Sequence, residues 1–249
     1  MLAVSDTGFD DIENVVKDLY ISGIPYLEIV PTKIKPFSEL TIFDLIEYKR
    51  KLNHHNLAPY SLLSLFYTLD IPDVSHVTSI VNHLTKLDTY MVELNCDLMV
   101  FGSPTMRKKI DGWEGYIHDI FSQVDKVLSI SGKYLIIEPV AKTYGAEFFT
   151  TIDEIVTHLK KAKYTNIFTM IDTHNLFLEN QDPIEKYLEY QEYIKHIHVA
   201  EIGLGALTNK KFHKEFAKVL QDYPYVVTHE IRDRDNFKKS IKMFGDIYA

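Results

Sequence analysis

The segment YLIIEPV, residues 134–140, is an aliphatic run that ends in a carboxylate, Glu138. A charged side chain at the end of an apolar strand has no packing role unless it meets a cation or a charged partner. Three later segments repeat the pattern: FTMIDTH carries Asp172, HIHVAE carries His198 and VVTHEI carries Glu230. Successive members are about 30 residues apart, the length of one strand, one helix and two loops. The pattern predicts four successive strands whose ends meet at one site.

Outward from these segments, the whole chain alternates short β-rich runs with longer amphipathic stretches, which is typical of βα units and a parallel sheet. The runs are apolar along most of their length, as expected where both faces of a sheet are covered. Eight such units predict an α/β fold, a closed (β/α)8 TIM barrel, as a single domain over residues 1–249 with one helix after each strand. The predicted strands are LAVS (2–5), YLEIV (26–30), YSLLSL (60–65), LMVFGS (98–103), YLIIEPV (134–140), NIFTMID (166–172), HIHVA (196–200) and YVVTHEI (225–231).

Composition and charge restrict the class of protein. A chain with 46% hydrophobic and 25% charged residues is an ordinary globular protein, and a net charge of −8 disfavours nucleic acid as a partner. The single cysteine, Cys96, excludes a disulfide within the chain and is expected to be buried. No apolar run reaches the ~18 residues of a membrane span, and no secretory signal is present, so we expect a cytoplasmic protein without a membrane partner. No GxGxxG turn indicates a dinucleotide site.

The four strand-end side chains are candidate ligands of one divalent metal ion. Three carboxylates and an imidazole suit Mn²⁺, Mg²⁺, Co²⁺ or Zn²⁺ better than a cation that prefers thiolates. For single members the alternatives are an internal salt bridge at Glu138 and a turn-capping role for Asp172. His196 and His198 alternate onto one face of a strand, so His198, nearer the strand end, is favoured as the ligand and His196 as its support.

Further polar residues near the predicted strand ends are candidates for substrate contact. Arg232 is expected either to hold an anionic substrate group or to pair with an acid. Ser103 and Arg107 are candidates for binding hydroxyl or phosphate oxygens, and a solvated loop arginine is the alternative. Glu201 is either close to the ligands or simply a loop acid. The full set of candidate substrate-binding residues is Glu28, Ser64, Ser103, Arg107, Lys142, Tyr144, His174, Asn175, Glu201 and Arg232.

In their order and spacing, the motifs IIEP, MIDTHN, HIHVAE and HEIR, supported by VFGSPTMR and YGAEF, make the sequence similar to the xylose isomerase-like TIM barrels. This sugar phosphate isomerase/epimerase group includes endonuclease IV, tagatose epimerase-like enzymes and inosose dehydratase. The resemblance covers nearly the whole chain and implies a metal-dependent isomerase or epimerase of a small sugar, sugar phosphate or related polyol or ketone. It also implies that Glu138 and Glu230 form an acid/base pair that moves a proton next to a carbonyl through an enediolate.

The chain departs from the family's pattern in ways that keep the substrate open. Many relatives carry a histidine three residues after the aspartate, where this chain has Asn175, with His174 one residue earlier. The arginine that many epimerases place after the seventh strand is missing from residues 201–206, and the extra histidine ligands of endonuclease IV-like chains are missing too. The alternatives are a metal-dependent lyase or dehydratase and a non-catalytic barrel with a vestigial metal site. The 16 Tyr and 14 Phe leave room for a homodimer interface.

Overall fold

The computed structural model describes all 249 residues. It contains eight parallel strands: β1 (Leu2–Ser5), β2 (Tyr26–Ile29), β3 (Ala58–Leu62), β4 (Leu98–Phe101), β5 (Tyr134–Ile137), β6 (Ile167–Asp172), β7 (Ile194–Val199) and β8 (Val227–His229). Each strand pairs with its neighbours in sequence, and β8 pairs with β1, so the sheet closes on itself. This confirms the predicted single-domain (β/α)8 barrel, in which the C-terminal ends of all strands face the same side.

Ten α-helices accompany the strands, two of them after β2 and two after β6, so the expectation of one helix per strand is wrong at these two places. None of the ten combines the length and apolar composition that a membrane crossing requires. The helices are α1 (Val16–Ile21), α2 (Pro31–Ile34), α3 (Ile42–His54), α4 (Val77–Leu94), α5 (Trp113–Ser131), α6 (Ile152–Ala162), α7 (Thr173–Leu178), α8 (Pro183–Tyr190), α9 (Lys210–Val219) and α10 (Phe237–Tyr248).

The third strand lies earlier in the chain than the sequence predicts. It was expected at 60–65 but runs from Ala58 to Leu62. Pro59 lies inside it, and because proline has no N–H to donate, the pairing with β2 shifts register at this point. After the strand, Ser64 adopts a left-handed conformation with φ 55°, which an extended strand does not accommodate.

Two apolar layers position the strand ends. A cluster of 56 buried residues includes Leu135 and Ile137 of β5 and packs between strands and helices, while a cluster of nine includes Ile136 and lies inside the barrel. Because side chains alternate along a strand, Glu138 shares the inward direction of Ile136. Cys96 is buried in the outer layer, as expected. The same alternation that builds the core therefore turns the strand-end polar residues toward the barrel axis.

The imidazole of His229 connects two strands to the last helix. Its Nδ1 donates to the carbonyl oxygen of Val199 at 2.8 Å, and its Nε2 accepts from the hydroxyl of Ser240 at 2.8 Å. The Ser240 oxygen accepts in turn from the backbone N–H of Leu207 at 2.9 Å. This chain of hydrogen bonds requires a neutral ring, and burial lowers the pKa of His229 to about 4.

We expect the free energy of unfolding to fall as the pH is lowered from about 6.5 to about 4, because the unfolded chain protonates His229 in this range and the folded protein does not. The folded pKa lies below the unfolded one, so the contribution is complete above pH ~6.5 and is lost as the pH approaches the folded pKa. A difference of about 2.5 in pKa corresponds to about 3 kcal/mol. NMR titration of the imidazole checks this, and a midpoint near 6.5 in the folded protein would contradict it.

Two helical glycines provide a matched test of packing. A Cβ added to Gly245 in α10 would lie 2.3 Å from the carbonyl oxygen of Ser22 beside α1, so we expect Gly245→Ala to lower the free energy of unfolding by about 1–3 kcal/mol. A Cβ added to the exposed Gly115 in α5 meets no atom within 4 Å, so Gly115→Ala should raise it by up to about 1 kcal/mol. Urea unfolding of both variants measures the difference, and equal effects would contradict the packing argument.

Candidate metal centre

A cavity of about 480 Å³ opens where the strands end. Glu138, His198 and Glu230 line it from the ends of β5, β7 and β8. Val100 of β4, two residues of α7 and residues of the loops that follow the strands line the rest. This is the face of a (β/α)8 barrel on which ligands bind, because the loops that follow the strands differ freely while the barrel holds their first residues rigidly.

The four side chains predicted as ligands come together beside this cavity. One donor atom of each of Glu138, Asp172, His198 and Glu230 lies within 4.8 Å of those of the others. Nδ1 of His198 is 3.3 Å from Oε2 of Glu230 and 3.6 Å from Oδ2 of Asp172. Glu138 is half-buried and the other three are buried. The barrel thus places three carboxylates and one imidazole around a common centre, which we call the four-residue cage.

Unsatisfied atoms in the four-residue cage fit a cation. Oδ2 of Asp172 and Nδ1 of His198 are buried without a hydrogen-bond partner, which is costly unless a ligand satisfies them. The other oxygen of Asp172, Oδ1, caps helix α7 by accepting from the N–H of Asn175 at 2.8 Å. The capping role and a ligand role are therefore compatible, because they use different oxygens. Carboxylate oxygens and an imidazole nitrogen form a donor set that suits Mn²⁺, Mg²⁺, Co²⁺ or Zn²⁺.

The electrostatics of the cage also favour an added positive charge. Burial and the neighbouring charge of Asp172 raise the pKa of Glu138 well above its usual value. Burial opposes ionisation of Asp172 too, but contact with His198 holds the pKa of Asp172 below its usual value. Burial disfavours a charged His198, yet the charge of Glu28 below the cage, together with Asp172 and Glu230, raises the pKa of His198 well above the usual range. The crowded carboxylates thus draw a proton onto the ring, and a divalent cation would take that proton's place.

Glu28 supports His198 from beneath the cage. Its Oε2 lies 2.8 Å from Nε2 of His198, and its Oε1 lies 2.9 Å from Nε2 of His196 and accepts from the hydroxyl of Ser61 at 2.6 Å. Burial opposes its charge, but the two imidazoles lower the pKa of Glu28 well below its usual value. This ion pair does not have hydrogen-bond geometry, but the negative charge of Glu28 beside Nε2 favours a proton on that nitrogen and leaves Nδ1 for a cation. Glu28, a candidate for substrate contact, has a fully buried side chain and does not line the cavity.

Two neighbours fix the position of Glu138. Asn175 accepts from the N–H of Ala141 at 3.0 Å through Oδ1, and it donates to Oε1 of Glu138 at 3.3 Å through Nδ2. A Cβ added to Gly102 would lie 1.7 Å from Oε2 of Glu138, so only glycine leaves room for the carboxylate in its present place. The absence of a side chain at Gly102, directly after β4, therefore allows the carboxylate of Glu138 to lie close to the backbone.

The candidate substrate-binding residues divide into two groups. Lys142 is exposed, lies 3.6 Å from Glu179 and does not line the cavity. Glu201 accepts from the N–H groups of Thr208 and Asn209, so it fixes the loop before α9 outside this cavity. The candidates that do line the cavity are Ser64, Ser103, Tyr144, His174, Asn175 and Arg232.

Arg107 has a structural position that the sequence did not indicate. Its guanidinium is fully buried and donates to the carbonyl oxygens of Phe101 at 2.6 Å and Phe149 at 3.0 Å. It also lies over the rings of these two residues, at 5.3 and 5.9 Å from the centroids. Arg107 is therefore not the solvated loop arginine of the alternative, and it does not line the cavity. The residue instead ties the end of β4 to the segment before α6.

Other cavity residues were not predicted. Tyr67 and Thr68 line the cavity from the loop between β3 and α4, and Thr105 does so from the loop after β4. The segment of Tyr67 and Thr68 contains no motif, and Thr68 has a positive φ of 70° that the sequence does not indicate. Thr105 lies within VFGSPTMR, but the motif does not show which of its side chains reach the cavity. A loop's path across the barrel mouth depends on its packing, so these residues were found only in the structure.

A family model described as "Xylose isomerase-like TIM barrel" matches residues 2–246. The chain belongs to this family. The match confirms the resemblance drawn from the strand-end motifs. A search of curated proteins finds no significant match to the sequence.

Solved structures with the same fold carry several activities in their names. An AP endonuclease, family 2, from Brucella melitensis is 14% identical with a TM-score of 0.80, covering 98% of this chain and 98% of that chain. A probable 3-DHS dehydratase from Bacillus anthracis is 11% identical with a TM-score of 0.76, covering 99% and 97%. D-psicose 3-epimerase with D-tagatose from Clostridium cellulolyticum is 18% identical with a TM-score of 0.75, covering 98% and 90%. At these identities the similarity establishes the fold and leaves the reaction open.

We expect Glu28→Gln to weaken binding of Mn²⁺ or Zn²⁺ by about tenfold or more, because the amide no longer stabilises the ligating form of His198 through its charge. Calorimetric titration of the metal-free protein with each ion measures the change. Glu215→Gln, which alters an exposed glutamate on α9, is the matched control and should leave the affinity unchanged. Equal metal affinity in the Glu28 variant and the control, with both proteins folded, would contradict the supporting role of Glu28.

Proposed function

We propose that this protein is a divalent-metal-dependent isomerase or epimerase of a small sugar, a sugar phosphate or a related polyol or ketone. The observation that carries the proposal is the four-residue cage beside a cavity of about 480 Å³, a volume that suits a small molecule. Two of the three cage carboxylates, those of Glu138 and Glu230, also line the cavity. These two carboxylates therefore face both the place of a cation and the space that a substrate would occupy.

Glu138 and Glu230 are suited to exchange protons with a substrate. They follow β5 and β8, which are three strands apart in the closed barrel, so they approach the cavity from different sides. One carboxylate removes a proton next to a carbonyl, and the other returns a proton to the opposite face or to a neighbouring carbon. The first outcome is epimerisation and the second is isomerisation. A divalent cation in the cage would supply the positive charge that polarises the substrate oxygens.

Asn175 gives one of these carboxylates a defined orientation. The N–H of Ala141 can only donate, so it sets the amide of Asn175 with its oxygen toward Ala141 and its NH₂ toward Glu138. Many relatives have a histidine at this position. In this chain the residue holds Glu138 for proton transfer, and the neighbouring His174 lines the cavity. The departure from the family pattern thus changes which groups meet the substrate without dismantling the cage.

Two observations support a working site with one metal ion. The unpartnered atoms of Asp172 and His198 favour a ligated cage over a vestigial one. The other cluster of candidate ligands, Glu28, His196 and His198, is fully buried and does not extend the cage toward the cavity. This cluster therefore provides no ligands for a further metal ion on the cavity side of the cage.

We expect the metal-loaded protein to exchange a carbon-bound hydrogen of at least one substrate with D₂O in a panel of ketoses, aldoses, their phosphates and polyol ketones. Glu138→Gln and Glu230→Gln should each lower the rate by at least about 100-fold, because each removes a proton carrier. Removal of the metal with a chelator should have a similar effect. NMR measures the deuterium uptake and identifies the product as an epimer, an isomer or an eliminated compound.

Glu215→Gln is the control for these variants, because Glu215 is exposed on α9 and does not line the cavity. Its exchange rate should equal that of the unaltered protein. Retained exchange in either cage variant would contradict the acid/base roles. A protein that binds no divalent ion would contradict the proposed function as a whole.

A further inference from the structure

One basic side chain in the cavity has no partner in the protein. Arg232 is the only lysine or arginine among the twenty residues that line the cavity. Its guanidinium makes no ion pair and no hydrogen bond, while Arg234, two residues later, pairs with Asp10. Arg232 is exposed, and an arginine at the wall of a cavity without an acidic partner offers a planar set of donors to a carboxylate or a phosphate.

Tyr144 offers a second donor to the same cavity. The N–H of Gly203 donates to Nδ1 of His174 at 3.2 Å, so this nitrogen carries no proton and the ring proton is on Nε2. Nε2 lies 2.7 Å from the hydroxyl oxygen of Tyr144 and donates to it. The hydroxyl proton of Tyr144 is therefore not used by His174 and is free to donate to a ligand. Accepting a hydrogen bond also makes the hydroxyl a better donor.

One short loop holds both donors. Between β7 and α9, Gly203 fixes His174 behind Tyr144, and the carbonyl oxygen of the adjacent Leu204 accepts from the N–H of Arg232 at 2.8 Å. Burial raises the pKa of Tyr144, and the charge of Arg232 opposes that rise, so the two groups are within electrostatic reach of each other. Tyr144 and Arg232 thus form a pair of donors on the wall of the cavity, distinct from the cage.

We propose that Arg232 and Tyr144 bind an anionic group of the substrate, a carboxylate or a phosphate, so that the substrate is a sugar acid or a sugar phosphate rather than a neutral sugar. This inference rests on the proposed function, since it assumes that the rest of the substrate reaches the four-residue cage. The charges are consistent with it. The cage is acidic and would attract a cation, and the anionic group would pair with the one free guanidinium of the cavity.

The test uses three probes without an aldehyde or ketone group: D-glucitol, D-gluconate and D-glucitol 6-phosphate. None can undergo the proposed proton transfer, so calorimetric titration of the Mg²⁺-loaded protein measures binding alone. We expect at least one anionic probe to bind about tenfold or more tightly than D-glucitol. If D-gluconate binds more tightly than D-glucitol 6-phosphate, the site prefers a carboxylate, and the reverse order indicates a phosphate site.

Arg232→Gln should reduce this preference to roughly twofold or less, and Tyr144→Phe should weaken anion binding by about tenfold while D-glucitol binding changes little. Arg234→Gln, which alters an arginine outside the cavity, is the control and should keep the preference. Equal or tighter binding of D-glucitol, no measurable binding of either anion, or a preference that survives Arg232→Gln would overturn the inference. Hydrogen exchange on neutral sugars alone would also overturn it and would leave the proposed function intact.

Discussion

Mutual repulsion among three carboxylates, held with one imidazole inside 4.8 Å, is the constraint on which the rest of this structure depends. Buried like charges at this distance separate or take up protons unless a positive charge joins them. The barrel prevents separation, because each carboxylate belongs to the end of a different strand whose neighbours are fixed by hydrogen bonds. The surrounding residues then favour a cation: Glu28 supports His198, and Asn175 and Gly102 hold Glu138 in place.

The cavity separates two kinds of chemistry. Its acidic side consists of the four-residue cage, where a metal ion would neutralise charge and where we propose that two carboxylates exchange protons with the substrate. Its donor side consists of Arg232 and the hydroxyl of Tyr144, both held by the loop between β7 and α9. A substrate that spans the two sides would be oriented by its anionic group and activated at its other end. When binding and chemistry are divided in this way, contacts far from the reacting carbon can hold that carbon in position.

Glu138 and Arg107 differ in how well the sequence predicts their positions in the structure. Glu138 was predictable because it ends an aliphatic strand and because three similar residues follow at the spacing of a βα unit. Arg107 lies in a loop of irregular conformation, where spacing gives no direction, and the structure buries it against two carbonyl oxygens. The sequence places Glu28 correctly near the end of β2, but it does not show how deeply the side chain is buried in the barrel. Whether an inward side chain lies under the cage or beside the cavity depends on the stagger of neighbouring strands, which the sequence does not state.

The sequence by itself determined the barrel, the order of its strands and the set of four candidate ligands, because strand periodicity and βα spacing are local properties that survive in any chain with this pattern. Tertiary structure alone decided that Glu28 supports an imidazole, that Asn175 orients Glu138 and that Gly203 sets the tautomer of His174. These three contacts join residues far apart in the chain through single hydrogen bonds or ion pairs. Their geometry is fixed only when the loops and strands have packed. These contacts, rather than local sequence, specify the chemistry of the cavity.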